Sequence, residues 1–202
     1  MNKMELAMTN PNENPQIKGL LYYKKIISKS FSEELIEFLL GCPDWKNINK
    51  SNPKSRRVIH YGYEYDFKKG YIHKKTTDMP PIILELRNMI SLCGINDTHF
   101  NQCIINEYTA GQGISSHIDN PKYGDTICCF SIGSTAMLNM KRELADGNEE
   151  HEIFIKPRSL YIMTKDARYK YKHGIPGRKY DTHKTKTYER TTRYSITFRI
   201  VK

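Results

Sequence analysis

The chain has 202 residues, a formal net charge of +10, a mean hydropathy of −0.66 and an aromatic fraction of 11%, with 14 tyrosines. That is room for one domain with a real core, and no apolar run approaches the ~20 residues of a membrane-spanning helix. Five cysteines (42, 93, 103, 128 and 129) form no C-x-x-C pair, which argues for reduced, mostly buried thiols in a cytoplasmic or nuclear compartment.

The first 18 residues, MNKMELAMTNPNENPQIK, have no secretory h-region and are expected to be a polar, disordered leader, with a single domain over 19–202. The stretch SKSFSEELIEFLLGCP predicts a helix: Ser30 precedes Glu33 at capping-box spacing, and Gly41 then Pro43 are stop signals. DMPPIILELRNMISLCGI predicts a second, entered at Asp78 and its prolines and ended at Gly94. From about residue 100 the texture changes to short β-rich runs: QCIINEY, DTICCFSIG, AMLNMK, HEIFIK, SLYIMT, YKYKHGI and RYSITFRIV. Short strands behind a pair of helices predict a mainly β fold, a β-sandwich or jelly roll with helices packed outside.

Charge is unevenly placed. Residues 46–75 carry nine Lys/Arg against two acids, and residues 165–190 carry nine against three. Both stretches interleave aromatics with the cations. Cations meet phosphates and aromatic faces stack on bases, so the mixture suits nucleic acid. A solvated basic surface is the plain alternative.

Three features carry chemistry. In GQGISSHIDNPKYGD, His117 and Asp119 stand two apart, a spacing that in an extended strand aims both side chains to one side. His173, before the HGIPG turn, is the best-placed distal histidine. Two histidines and one carboxylate leave open positions on an octahedral Fe(II), whereas structural zinc calls for four closed ligands that no cysteine cluster offers. In RTTRYSITFRIVK, Arg193, Ser195, Thr197 and Arg199 alternate with Tyr194, Ile196, Phe198 and Ile200. Six residues span ~20 Å of strand. Two long arginines leaning over small hydroxyls suit a short dicarboxylate, which a guanidinium grips with two parallel bonds.

Jointly, H-x-D at 117/119, His173 and R-x-x-x-x-x-R at 193–199 resemble the residue set of the AlkB-like Fe(II)/2-oxoglutarate dioxygenases. NQCIINEYTAGQGISSHID, FSIGS, PRSLYIMTKDARYKYKHGI and RRVIHYGYEYDF resemble further segments of that family, over roughly residues 30–202. The resemblance implies a double-stranded β-helix with Fe(II) at His117, Asp119 and His173. It places 2-oxoglutarate at Asn106, Tyr108 and Arg193, with Ser195 where the bacterial founder of the family has asparagine, and Arg199 nearer the metal. It implies O₂-dependent demethylation or hydroxylation of a modified base, with RNA favoured over DNA. Arg56, Arg57, Tyr61, Tyr63 and Tyr65 in the lid region are the expected substrate contacts. Pro121 stands where several repair members carry an acid that reads the base. The wording is closest to eukaryotic-type homologues, including the domain that hydroxylates modified wobble uridine in tRNA; the further modules of that relative do not fit in 202 residues. A monomer is expected. A protein hydroxylase of the same fold and a metal-free binding module are the competing readings.

Overall fold

Ser28 opens the first helix. In the computed structural model, which describes residues 12–14, 16–49, 51–52, 55–95 and 99–202, its hydroxyl accepts from the Phe31 amide at 3.1 Å. The N-cap is therefore Ser28, not Ser30: the hydroxyl three residues ahead of a hydrophobic position wins over the one ahead of Glu33. Helix α1 (Lys29–Gly41) follows two short strands, β1 (Asn12–Glu13) and β2 (Leu20–Tyr23). It ends because Cys42, preceding Pro43, takes an extended conformation, φ −73° and ψ 126°. Then come β3 (Lys46–Asn47), β4 (Arg57–Tyr61) and a hairpin of β5 (Tyr63–Asp66) with β6 (Tyr71–Lys75). Helix α2 (Pro81–Asn88) takes Pro80 as N-cap instead of Asp78, and continues as a 3₁₀ turn (Met89–Cys93) into Gly94, whose φ of 74° ends it as the sequence predicts.

Past residue 100 the β-rich runs become β7 (Gln102–Tyr108), β8 (Ile114–His117), β9 (Ile127–Gly133), β10 (Ala136–Leu144), β11 (Gly147–Ile155) and β12 (Ser159–Met163). A short helix α3 (Lys165–Tyr169) takes in Tyr169, the first residue of the expected YKYKHGI strand, and the strand itself starts later, as β13 (Lys172–Ile175). A hairpin, β14 (Tyr180–His183) and β15 (Lys186–Glu189), precedes the last strand, β16 (Arg193–Arg199).

The strands form an eight-stranded sheet, β1-β2-β12-β9-β16-β7-β4-β3, and a four-stranded sheet, β11-β10-β13-β8. Every pairing among them is antiparallel. Side-chain alternation decides what each face of the large sheet covers. Cys103, Ile105, Phe130, Ile196 and Phe198 pack with Phe31, Leu35, Leu39, Ile83 and Leu86 from the helices. Each fully buried Leu or Phe there contributes about 2 kcal/mol of transfer free energy. Ile127, Cys129 and Tyr161 point the other way and pack with Leu138, Met140 and Ile175 of the small sheet. The jelly roll with helices outside is thus the observed architecture. No helix among the described residues is long and apolar enough to cross a membrane.

The proposed leader lies outside the described residues over 1–11 and at 15, but Asn12–Glu13 pair with Leu21–Tyr22 and Ile17 is completely buried. Packed chain therefore starts before residue 19. Strand β16 is central, between β7 and β9, and its polar face is buried.

Candidate active site

The small sheet brings the two histidines together. His173 on β13 pairs directly with His117 on β8, and their rings lie 4.5 Å apart. Gly174 makes this possible, since a Cβ there would lie 2.8 Å from the Ser116 amide nitrogen. His117 closes β8, and Asp119 lies beyond it in a loop, so the convergence owes to the turn and not to strand alternation alone. One ligand atom from each of His117, Asp119 and His173 lies within 4.8 Å of the others. His117 Nδ1 is 2.8 Å from the Ser115 carbonyl, so Nδ1 carries the hydrogen and Nε2 keeps its lone pair toward Asp119 Oδ1, 3.9 Å away.

Electrostatics hold Asp119 and His173 in ligand form. Burial pushes the Asp119 carboxyl up, but the Arg199 guanidinium, then His173 and His117, outweigh it and keep it well below the usual carboxylate range. Arg199 Nη2 donates to Asp119 Oδ1 at 3.0 Å, while Oδ2 is buried without a protein partner. Burial lowers His173 to about 4, against the pull of Asp119, so its imidazole is neutral near pH 7.

Beside the triad, the inner face of the large sheet supplies a cation. Arg193 is 3% exposed; its Nε donates to Ser131 Oγ at 2.9 Å, and Nη1 and Nη2 have no protein partner. A buried guanidinium with two unpaired nitrogens fits an anion gripped by both. A narrow inner cavity of about 40 Å³ runs from His117, Asp119 and His173 past Asn106, Tyr108 and Ser195. Arg193 lies 5.6 Å over the Tyr108 ring. Ser195 Oγ lies 3.1 Å from Cys129 Sγ. The residue set therefore fits both a divalent metal and a carboxylate-bearing cosubstrate.

A wider cleft of about 390 Å³ opens above the triad, lined by Arg56, Tyr65, Phe67, Asn106, Ile118, Tyr123 and neighbours. Arg56 Nε donates to Asn106 Oδ1 at 2.9 Å, and its guanidinium lies 5.5 Å from the Phe67 ring. The lid hairpin hangs from Gly62, whose φ of 77° and close approach to the Asn101 carbonyl admit no side chain. Asn120 Nδ2 ties its tip through the Gly70 carbonyl at 2.9 Å.

Of the expected substrate contacts, Arg56 and Tyr65 line this cleft and the others do not. Arg57 faces the helix side, where it binds Glu107 through two bonds of 2.6 and 2.8 Å and lies 5.1 Å over the Trp45 ring. Tyr61 is 3% exposed within the helix-side core, against Cys42. Both sit an odd number of residues from Arg56 or His60, and strand parity sends them to the other face. Tyr63 is half-buried in β5, its carbonyl held by Gln102, and it lines no part of the cleft. Phe67, Tyr123, Ser131 and Tyr161 were not singled out as site residues. For Ser131 a signal existed: it alternates with Phe130 and Ile132 in a strand otherwise apolar.

The model of the 2OG-Fe(II) oxygenase superfamily matches residues 19–199. An uncharacterized protein, L905, of Acanthamoeba polyphaga mimivirus is 38% identical over 161 residues, covering 77% of this chain and 76% of that protein. The tRNA (carboxymethyluridine(34)-5-O)-methyltransferase ALKBH8 of Mus musculus is 31% identical over 169 residues, covering 81% of this chain. The match spans only 25% of the mouse protein. Among solved structures, that of OsALKBH1 superposes with a TM-score of 0.65 at 16% identity, covering 90% of this chain and 96% of that one, a likeness of fold. A jelly roll with a His-Asp-His cluster at one mouth and buried arginines beside it is what such a family requires, and the chain belongs to the 2OG-Fe(II) oxygenase superfamily, in its AlkB-like branch, as a 2-oxoglutarate-dependent dioxygenase.

Proposed function

We propose that this enzyme oxidises a modified base in RNA, with a uracil-type base the preferred substrate. Fe(II) is held by His117 Nε2, Asp119 and His173, and 2-oxoglutarate by Arg193, with Asn106, Tyr108 and Ser195 beside it. Bound together, iron and 2-oxoglutarate supply the O₂-dependent chemistry that inserts oxygen into a C–H bond. The chain's own residues do the rest. Arg199 keeps Asp119 ionised, burial keeps His173 neutral, and Arg193 anchors the cosubstrate. Tyr65 and Phe67 form the walls against which an extruded base rests, screened from water by the lid hairpin.

The observation that carries the substrate reading is the composition of the cleft: among the described residues Asp119 is the one carboxylate that lines it, and Arg199 already holds it. A cationic methylated adenine or cytosine needs an acid in reach, and Pro121 supplies none. Arg56 at the rim offers a charge for a backbone phosphate and donors that suit the carbonyl acceptors of uracil or an anionic substituent. The mouse relative is named for tRNA, which supports RNA over DNA.

The test is mass spectrometry of nucleosides from bulk tRNA, rRNA and DNA after incubation with enzyme, Fe(II), ascorbate and 2-oxoglutarate. A mass change of 16 Da, or loss of a methyl group, on a uridine derivative in RNA is expected. Unchanged nucleosides in all three pools, with succinate formed only when peptide is added, would sink the proposal in favour of a protein hydroxylase.

A further inference from the structure

Arg168, at the end of α3, is 2% exposed, and no carboxylate hydrogen-bonds to it among the described residues. A buried cation so placed is costly unless its donors are all met. Here backbone carbonyls meet them. Nη1 donates to Asp119 O at 3.0 Å and Nη2 to Asn120 O at 2.8 Å. Nε donates to Gly124 O at 3.3 Å, and a longer contact of 3.5 Å reaches Tyr123 O. All four acceptors belong to the loop that carries Asp119. The Tyr169 ring covers the guanidinium at 4.8 Å, and Tyr169 donates to Asp125 at 2.7 Å, so α3 grips the loop at both ends.

We infer that Arg168 is a positioning residue of the metal centre. A planar fork of donors can meet the carbonyls of Asp119, Asn120 and Gly124 together only when the loop is coiled around it. That coil turns the Asp119 side chain back toward Arg199, His117 and His173. The same helix leads directly into β13, which delivers His173. Arg168 thus connects the two segments that bring the second and third ligands, without touching the metal, the cosubstrate or the base. The inference rests on the metal reading given above and is independent of which substrate is oxidised.

Calorimetric titration of Mn(II), a redox-stable stand-in for Fe(II), into the metal-free full chain at 10 °C tests it. Arg168→Lys keeps the charge and loses the fork; Arg168→Met loses both. Both variants should bind Mn(II) about 10–100-fold more weakly, the usual effect of losing a group that orients a ligand, with unchanged far-ultraviolet circular dichroism. Tyr169→Phe, which removes only the bond to Asp125, should stay within about twofold of wild type. Wild-type Mn(II) affinity in Arg168→Lys, even with a lowered Tm, makes the residue merely structural and overturns the inference. So does failure of both Arg168 variants to fold. If the wild-type chain itself shows no single Mn(II) site, the metal reading fails instead.

Discussion

Two unpaired guanidinium nitrogens inside a protein are expensive, and Arg193 keeps them because a carboxylate fits there. Replacing the fork by a point charge removes one of two parallel bonds. Arg193→Lys should therefore raise the KM for 2-oxoglutarate at least tenfold, equivalent to about 1.4 kcal/mol, with a smaller change in kcat. A succinate assay over a range of 2-oxoglutarate concentrations reads this directly, and superimposed curves for the two proteins would remove Arg193 from the site. This residue was legible because strict alternation in RYSITFR leaves two arginines and two hydroxyls on one face. His117 and Asp119 were legible from their spacing. Arg168 was not, because its partners are backbone carbonyls from 44 to 49 positions away, and carbonyls leave no mark on a sequence.

Strand β4 shows how a single element can split neighbouring residues between two jobs. Arg57 pairs across to Glu107 and Val58 to Asn106, so successive side chains serve the helix core and the active cleft in turn. Sequence alternation reveals that two faces exist; only the register against β7 tells which one looks at the iron site, and so Arg57 and Tyr61 were placed on the wrong side. The same basic dipeptide should then give two different phenotypes. Arg57→Ala strands the Glu107 carboxylate, whose side chain is 10% exposed, and should cost about 1–3 kcal/mol of stability while leaving the salt dependence of RNA binding unchanged. Arg56→Ala should leave Tm nearly unchanged and flatten the slope of log affinity against log salt by about 1 unit. Thermal melts and filter binding between 50 and 200 mM salt, roughly the range over which phosphate contacts are lost, decide it. Reversed phenotypes would mean that the two arginines have been assigned to the wrong faces.

At the scale of the whole molecule, composition and the run of short β-segments were enough for a β-sandwich or jelly roll with helices outside, and the family resemblance chose the jelly roll; alternation buries one sheet face under helices and the other under a second sheet. The strands before residue 100 and the short helix α3 at residues 165–169 were not legible, because short mixed segments take the conformation their neighbours impose. One global property follows from what that packing encloses. Burial lowers His60 to about 4, in spite of Glu64 nearby, and both its ring nitrogens lack partners beneath Phe67. His173 is lowered to about 4 as well. Both are neutral in the fold and protonate near the ordinary histidine value of 6.5 when unfolded. The unfolded chain therefore binds more protons between these values, and stability is fully present above about 6.5 and declines as pH falls toward 4. Asp119 and Asp181 are depressed in the fold and add to the loss only toward the acid end, as their unfolded carboxyls approach their ordinary value of 3.8. Metal-free protein held in chelator should lose on the order of 1–2 kcal/mol per histidine between about pH 7 and pH 5. His60→Leu, which substitutes an apolar side chain that has no proton to gain, should flatten the dependence by about half. Urea unfolding of wild type and variant at the two pH values measures both quantities. Equal stability of the wild type at the two, or an unaltered slope in the variant, would show that these histidines are not held neutral by the fold.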